Sequence, residues 1–236
     1  MSASRRDRLR QETLAEIREA ARTLLTTRGS AAVTINAVAR EVGMSGPALY
    51  HYFAGHDALV QAVTADFFAE LAGEMRAARD AVATGSIAAR LLATCRAMRA
   101  WAIAHPAEFG WIFTSHVPSS ATRTPDSPRN LAGREFEQVF HEEIAALWDT
   151  KPFPVPDDLD PAIREQLHSY TDQLGLKLPV EAVYVITSCW IKLYGLLCME
   201  VLNQLDYIYT DVEPIFEEAL RDITATFGLP YEPPAR

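Results

Sequence analysis

The 236-residue chain predicts an all-α protein: an N-terminal three-helix head with a helix-turn-helix, followed by a larger helical domain. Three observations carry this. A short helix, a tight turn and a second short helix are legible between Thr34 and Phe53; from Asp57 apolar residues recur at helical spacing almost to the end; and Gly85-Ser86, His105-Pro106 and two proline-rich connectors divide that stretch into successive helices. Residues 1–56 are read as the first domain and 57–236 as the second. With 49% hydrophobic residues, both can bury a core.

The first helix is read over residues 12–29 (ETLAEIREAARTLLTTRG). Before it stands an arm, MSASRRDRLR, concentrating Arg5, Arg6, Arg8 and Arg10. Such an arm either lies along phosphates and the minor groove or stays solvated. No apolar stretch follows it, so it is not a secretory signal, and a cytoplasmic protein is expected.

In TINAVAREVGMSGPALYHYFAGHDAL (34–59), Thr34 is placed to cap a helix beginning at Ile35. Ile35, Val38, Ala39 and Val42 form its apolar face. Gly43 follows, where a helix ends in the left-handed conformation that glycine adopts without cost. Ser45 can cap the next helix, and Pro47 sits in its first turn, where a missing amide hydrogen is harmless. Helices joined so closely cross steeply and share a small core of Val38, Val42, Leu49 and Phe53. The outer face of Ser45 to Tyr52 is left free, as a helix docked in a major groove requires.

Residues 57 to about 83 predict a long helix with Leu59, Val63, Phe67, Leu71 and Met75 on one stripe. Gly85-Ser86 breaks it, and Ile87 to Ala104 forms the next. A short aromatic helix, AEFGWIFTS, precedes a loop rich in Pro, Ser and Thr. A helix from Leu131 to Trp148 leads to a proline-rich connector, TKPFPVPDDLDP, and then to a helix over Ala162 to Leu174. After Leu178-Pro179 comes VEAVYVITSCWIKLYGLLCMEVLNQL, apolar on nearly every side. Lys192 and Glu200 interrupt the run and argue against a membrane span. A helix of this kind needs burial on two sides, so a twofold partner is expected there, with Pro214 to Phe227 completing a four-helix bundle. Leu197 and Val201 are taken as interface positions.

The segment over residues 12–62 resembles the N-terminal domain of the TetR family of bacterial transcriptional regulators, through Gly43-Met44-Ser45, Leu49-Tyr50 and Tyr52-Phe53. The resemblance implies that Thr34 and Tyr50 bind phosphates. Asn36 and the solvent face of Gly46, Pro47, Ala48 and His51 would approach bases, with Ser45 also among the DNA-contacting positions. Tyr52 stands where the family commonly has histidine, and His56 where it commonly has a lysine that contacts phosphate. Gly46, Pro47 and Ala48 offer only backbone proximity and apolar contact with thymine methyls, so Asn36 and His51 carry any polar readout. Shape and phosphate positioning would supply the rest. The second half resembles a C-terminal domain of TetR-type regulators marked by Trp, His-Gly and Leu-Glu along one helix, here Trp190, Tyr194-Gly195 and Met199-Glu200.

The net charge of -9 divides unevenly. Residues 1–62 carry 8 Lys plus Arg against 6 Asp plus Glu, or +2, and the remainder carries -11. Only the head suits DNA. Cys95, Cys189 and Cys198 lack metal or redox spacing and read as buried thiols. His105, His116, His141 and His168 are scattered, Glu142-Glu143 reads as a solvated helix face, and no catalytic constellation, metal site or cofactor motif is apparent. Between Met98 and Trp148 lie Trp101, Phe109, Trp111, Phe113, Phe136 and Phe140. From this aromatic group Trp101, Phe109 and Trp148 are expected as walls of an apolar small-molecule site between the two proline-rich connectors.

The function expected is a homodimeric repressor that binds double-stranded palindromic operator DNA and is released by an unidentified apolar ligand. Two rivals stand beside it. One is a helical small-molecule-binding protein whose head has lost useful DNA affinity; the other is an enzyme working in the C-terminal cavity, for which no residue pattern speaks.

Overall fold

A computed structural model describes residues 4–114, 126–175 and 177–234. All regular elements among the described residues are helical. The chain forms two compact units, one of residues 1–72 with 104–136 and one of 73–103 with 137–236.

In the first unit, α1 (Arg5–Arg28) begins well before the predicted start. The reason is a capping box: the Asp7 amide donates to Ser4 Oγ at 3.2 Å, and the Ser4 amide donates to Asp7 Oδ2 at 3.3 Å. The arginines read as an arm therefore stand on two extra helical turns. Ile17, Ala20, Ala21, Leu24 and Leu25 are the buried stripe, and Gly29, at φ 81°, ends the helix. A 3₁₀ turn over Ser30–Ala32 leads into α2 (Ile35–Glu41) and then α3 (Gly46–Leu49).

The long helix α4 (His56–Ala81) carries the predicted stripe intact, with Leu59, Val63, Phe67, Leu71 and Met75 all buried. α5 (Ile87–Ala104) has the predicted bounds. α6 (Pro106–Phe109) passes into a π turn over Gly110–Thr114. Here Phe109, Phe113, Phe68 and Phe136 form one ring cluster, with centroids 4.9–5.8 Å apart. Beside it, Trp111 Nε1 donates to Thr64 Oγ1 at 2.9 Å. Beneath α1, Arg22 binds Glu70 at 2.6 Å and the buried Glu108 at 2.9 Å.

α7 (Pro128–Thr150) begins at Ser127, whose hydroxyl accepts from the Asn130 amide at 3.3 Å. Most of the loop predicted before it, His116 included, lies outside the described residues.

In the second unit the proline-rich connector is pinned. Phe153 is 3% exposed and sits edge-on to Trp148 and Phe227, with centroids at 4.9 and 5.0 Å. α8 (Pro161–Leu174) is capped by Asp160. α9 (Val180–Val201) buries Val180, Ala182, Val183, Val185, Ile186, Cys189, Leu193 and Leu197, and α10 (Glu213–Thr226) buries Phe216, Leu220, Ile223 and Thr224.

Two sequence expectations are corrected here. Leu197, taken as an interface position, is 0% exposed and belongs to the protomer core; the exposed large apolar positions of α9 and the turn after it are Ile191, Met199 and Leu202. Register decides this, since residues 191, 195, 199 and 202 share a face that 193 and 197 do not. Glu143, read as solvated, is buried and held by Arg90 at 2.8 Å, while Glu142 on the outside pairs with Arg79 at 2.7 Å. Arg96 clasps Glu217 through Nε at 2.9 Å and Nη2 at 2.8 Å, and Tyr231 donates to the same carboxylate at 2.7 Å. Arg99 grips Glu200 in the same forked manner.

Candidate nucleic-acid interface

The two short helices of the head are set by side-chain caps. Thr34 Oγ1 accepts from the Ala37 amide at 3.2 Å, and Ser45 Oγ from the Ala48 amide at 3.3 Å. These bonds satisfy amides that a helix N-terminus otherwise leaves open. Between them Gly43 adopts φ 69°, the left-handed turn expected of it. Val38 and Leu49 are 0% exposed and Phe53 is buried, so the small shared core exists, with Val42 at its margin.

The recognition helix is shorter than the predicted span of Ser45 to Tyr52. After Leu49 the chain tightens, with the His51 amide bonding Ala48 O at 3.2 Å and the Tyr52 amide bonding Leu49 O at 2.9 Å. Such i→i+3 bonds mark a 3₁₀-like end. Along the outer surface Ser45, Pro47, Tyr50 and His51 are exposed, while Gly46 and Ala48 are half-buried. Tyr50 is 56% exposed, an unusual position for a tyrosine unless its ring and hydroxyl meet something.

Asn36 stands exposed on α2 and leans across the start of α3. A Cβ placed on Gly46 would lie 2.5 Å from Asn36 Oδ1. Glycine at 46 is therefore a spatial condition for this amide, and the pair forms one unit of the surface. Tyr52 is half-buried with the Arg10 guanidinium over its ring, 5.3 Å from the centroid. Arg10 Nη2 also donates to the His51 carbonyl at 3.3 Å. His56 opens α4, and its Nε2 lies 2.7 Å from Val33 O, so one ring nitrogen is engaged within the head.

Sequence reasoning missed Arg10 as a partner of the recognition turn. The Ser4-x-x-Asp7 spacing was the available signal, because a helix starting at Arg5 carries residue 10 on a fixed face. On the same unit a cleft of about 760 Å³ is lined by Glu16, Glu19, Glu41 and Asp66 with Arg18 and Arg22. Arg18 pairs with Asp66 and Arg22 with Glu70 and Glu108, so among the described residues Glu16, Glu19 and Glu41 are left without a cation and the cleft is a poor place for phosphate.

The aromatic residues expected around a ligand divide between the units. Phe109 is 0% exposed in the first, stacked at a tilt on Phe113. Trp101 is buried and Trp148 half-buried in the second.

Comparison with known proteins agrees with this geometry. Residues 17–63 match the description "Bacterial regulatory proteins, tetR family", and residues 91–223 match "Tetracyclin repressor-like, C-terminal domain". HTH-type transcriptional regulators of Mycobacterium bovis and Mycobacterium tuberculosis are 28% identical over 226 residues, 95% of this chain and 95% of theirs. The solved structure of the regulatory protein SCO4313 is 29% identical, with a TM-score of 0.70 over 94% of this chain and 100% of that one. RolR, solved with resorcinol, shares the fold at 16% identity and a TM-score of 0.57, over 97% of this chain and 100% of its own. The caps, the left-handed glycine and the exposed turn thus belong to a helix-turn-helix domain, and the chain is a transcriptional regulator of the TetR family.

Proposed function

We propose that the chain is a cytoplasmic homodimeric repressor that holds a palindromic operator through residues 1–56 and releases it when a small apolar molecule binds within residues 57–236. The observation that carries this reading is the capped turn from Ser45 to Tyr50, whose outer residues are open while its inner ones form the head's core. Thr34, Tyr50 and His56 are assigned to phosphates. Asn36, supported by Gly46, reads a base together with His51. Ser45, Pro47 and Ala48 supply close approach to the groove, and Tyr52 braces Arg10.

Dimerisation is supported by apolar side chains the protomer leaves uncovered. Ile191 is 67%, Met199 40% and Leu202 45% exposed, followed by Tyr207 at 81% and Ile208 at 56%. So many large apolar side chains left open within residues 191–208 of one chain point to a partner surface. α9 is long and apolar enough to cross a membrane by length and composition, but its buried face packs as a core helix. A second copy of the chain accounts for the remaining face without a bilayer. A small-molecule site in the larger domain is supported by the fold shared with RolR, which was solved with resorcinol, and Trp101 and Trp148 of the second unit are the proposed wall residues.

A gel shift at moderate salt with the DNA upstream of its own gene, followed by selection from a random duplex pool, tests the reading. A recovered palindrome whose half-sites lie about 34–36 Å apart, or a multiple of it, is the expected result. An asymmetric or single half-site footprint overturns the dimeric arrangement. Tyr50→Phe should weaken binding to every duplex, whereas Asn36→Ala should weaken chiefly the selected one.

A further inference from the structure

The recognition turn is open on one side and held on the other. Leu49 and Phe53 are buried and anchor it in the core of the head, while Tyr50 and His51 between them face solvent. The amides of His51, Tyr52 and Phe53 are used in bonds back to Ala48 and Leu49. The carbonyls are left over, because the last carbonyls of a helix have no amide ahead of them to accept from. Among the described residues the His51 carbonyl is met by a side chain, Arg10 Nη2 at 3.3 Å, rather than by a backbone amide. The same guanidinium lies over the Tyr52 ring, 5.3 Å from its centroid. One planar group thus touches two consecutive residues of the turn from a helix 41 residues away in sequence.

Helical register explains why residue 10 is there. Ile17, Ala20, Ala21 and Leu24 belong to the buried stripe of α1, and residue 10 lies two turns before Ile17 on the same side. The stripe leaves the core at that point, so the side chain that continues it meets the edge of the head, where the recognition turn ends. The capping box of Ser4 and Asp7 keeps this part of α1 helical and gives Arg10 a fixed base. Arg18 and Arg22, farther along α1, are tied to carboxylates, whereas Arg10 is tied to the turn. A guanidinium suits this place: its plane lies on an aromatic face while an edge N–H reaches a carbonyl, and the point charge of a lysine does not reproduce both at once.

We propose that Arg10 is a positioning residue for the recognition turn. It fixes the peptide of His51, and with it the direction in which the His51 side chain faces the duplex, and so contributes to operator preference without itself neutralising a phosphate. This role rests on the base reading assigned above to His51.

Full-length wild type is compared with Arg10→Gln, Arg10→Lys, His51→Ala and the double variant Arg10→Gln with His51→Ala. Arg10 is exposed, so each variant should melt with wild type. Hydrogen exchange of the free proteins, read by mass spectrometry, should be faster in Arg10→Gln over residues 49–54 and unchanged in α2 and α4. By fluorescence anisotropy Arg10→Gln should bind the selected operator about fivefold more weakly, the low end for a lost base contact, and a scrambled duplex as wild type does. The slope of log affinity against log salt should stay that of wild type, whereas a lost phosphate contact makes it shallower by about 1. Arg10→Lys should fall short of wild type in exchange and in preference, and Arg10→Gln should cost nothing further in the His51→Ala background. Equal losses on both duplexes, a shallower slope, full recovery by Arg10→Lys, unchanged exchange over the turn, or the same loss in both backgrounds would each overturn the proposal. Exchange that quickens throughout the head would overturn it too, since that marks a general support rather than a positioning contact. Wild type that prefers no duplex, with exchange in Arg10→Gln still faster over the turn alone, removes the DNA reading and not the contact. A wild-type preference that Arg10→Gln keeps removes the proposal alone.

Discussion

Replacing Gly46 by alanine tests the recognition surface at its tightest point. The added Cβ would stand 2.5 Å from Asn36 Oδ1, so the amide must withdraw by about 1 Å to reach ordinary contact. The obstructing atom is the far end of an exposed side chain, and it moves at little cost to folding. Alanine at the start of a helix offsets that cost, since it exceeds glycine in helix propensity by up to about 1 kcal/mol. The base contact proposed for Asn36 has no such tolerance: hydrogen bonds span only about 2.7–3.2 Å, and a displacement of this size would take a bidentate amide off its base. A lost adenine contact is worth about 1–3 kcal/mol, or roughly 5- to 150-fold in operator affinity. Fluorescence anisotropy with operator and scrambled duplexes should therefore show Gly46→Ala losing affinity for the operator alone, with its melting temperature unchanged or raised. In an Asn36→Ala background the same change should cost almost nothing, because no Oδ1 remains to displace. An equal loss in both backgrounds, or no loss in the wild-type background, would refute the coupling of Asn36 to Gly46.

Three further outcomes follow from the second unit. The Arg96 guanidinium, bonded to Glu217, holds that carboxyl below its ordinary value, with Tyr231 assisting against burial. A depressed carboxyl contributes stability that is complete above the unfolded value near 4.3 and is lost as pH falls through the folded one. Melting temperature between pH 5 and 3 should thus fall more steeply for wild type than for Glu217→Gln, and parallel curves would remove the linkage. Ile191→Arg should yield a folded monomer by sedimentation and circular dichroism, while Leu197→Arg should unfold, since it buries a charge with no partner; a folded Leu197→Arg dimer would contradict the packing of α9. Burial pushes the thiol of Cys95 up to about 12 and that of Cys189 to about 11. Thiol labelling at pH 8 should therefore begin at the half-buried Cys198 and reach Cys95 only as fast as the protein opens, and rapid labelling of Cys95 in folded protein would contradict this.

The features legible beforehand are those whose causes lie within a turn or two of sequence. Thr34 and Ser45 cap amides three residues ahead, Gly43 turns where the apolar face of α2 ends, and the α4 stripe repeats every four residues. The start of α1 was equally local, written in Ser4 and Asp7, but four arginines masked it. What could not be read is pairing across the chain. Glu143 looks solvated until Arg90, 53 residues earlier, is placed against it. Leu197 and Ile191 are equally apolar letters, and only the packed neighbours of α9 decide which is core. Arg129 looks like any surface arginine in the sequence; its shielded, unpaired Nε exists only in three dimensions.

The same distinction explains why the first compact unit extends beyond the reading head. Arg22 on α1 binds Glu70, 48 residues on, and Glu108, 86 residues on. Glu108 is 3% exposed, so it depends on its charged partner for the solvation it has lost. Trp111 then spends its only donor on Thr64 of α4. Residues 104–114 are in this way tied by charge and hydrogen bond to α1 and α4, which carry and flank the head. Apolar packing alone would let these helices slide by small steps. A forked Arg–carboxylate contact and a single indole donor admit few alternative registers. The segment holding the ring cluster is therefore linked to the head through directional contacts, and a change in that segment has a stiff route to the position of α1, and through Arg10 to the carbonyl of His51.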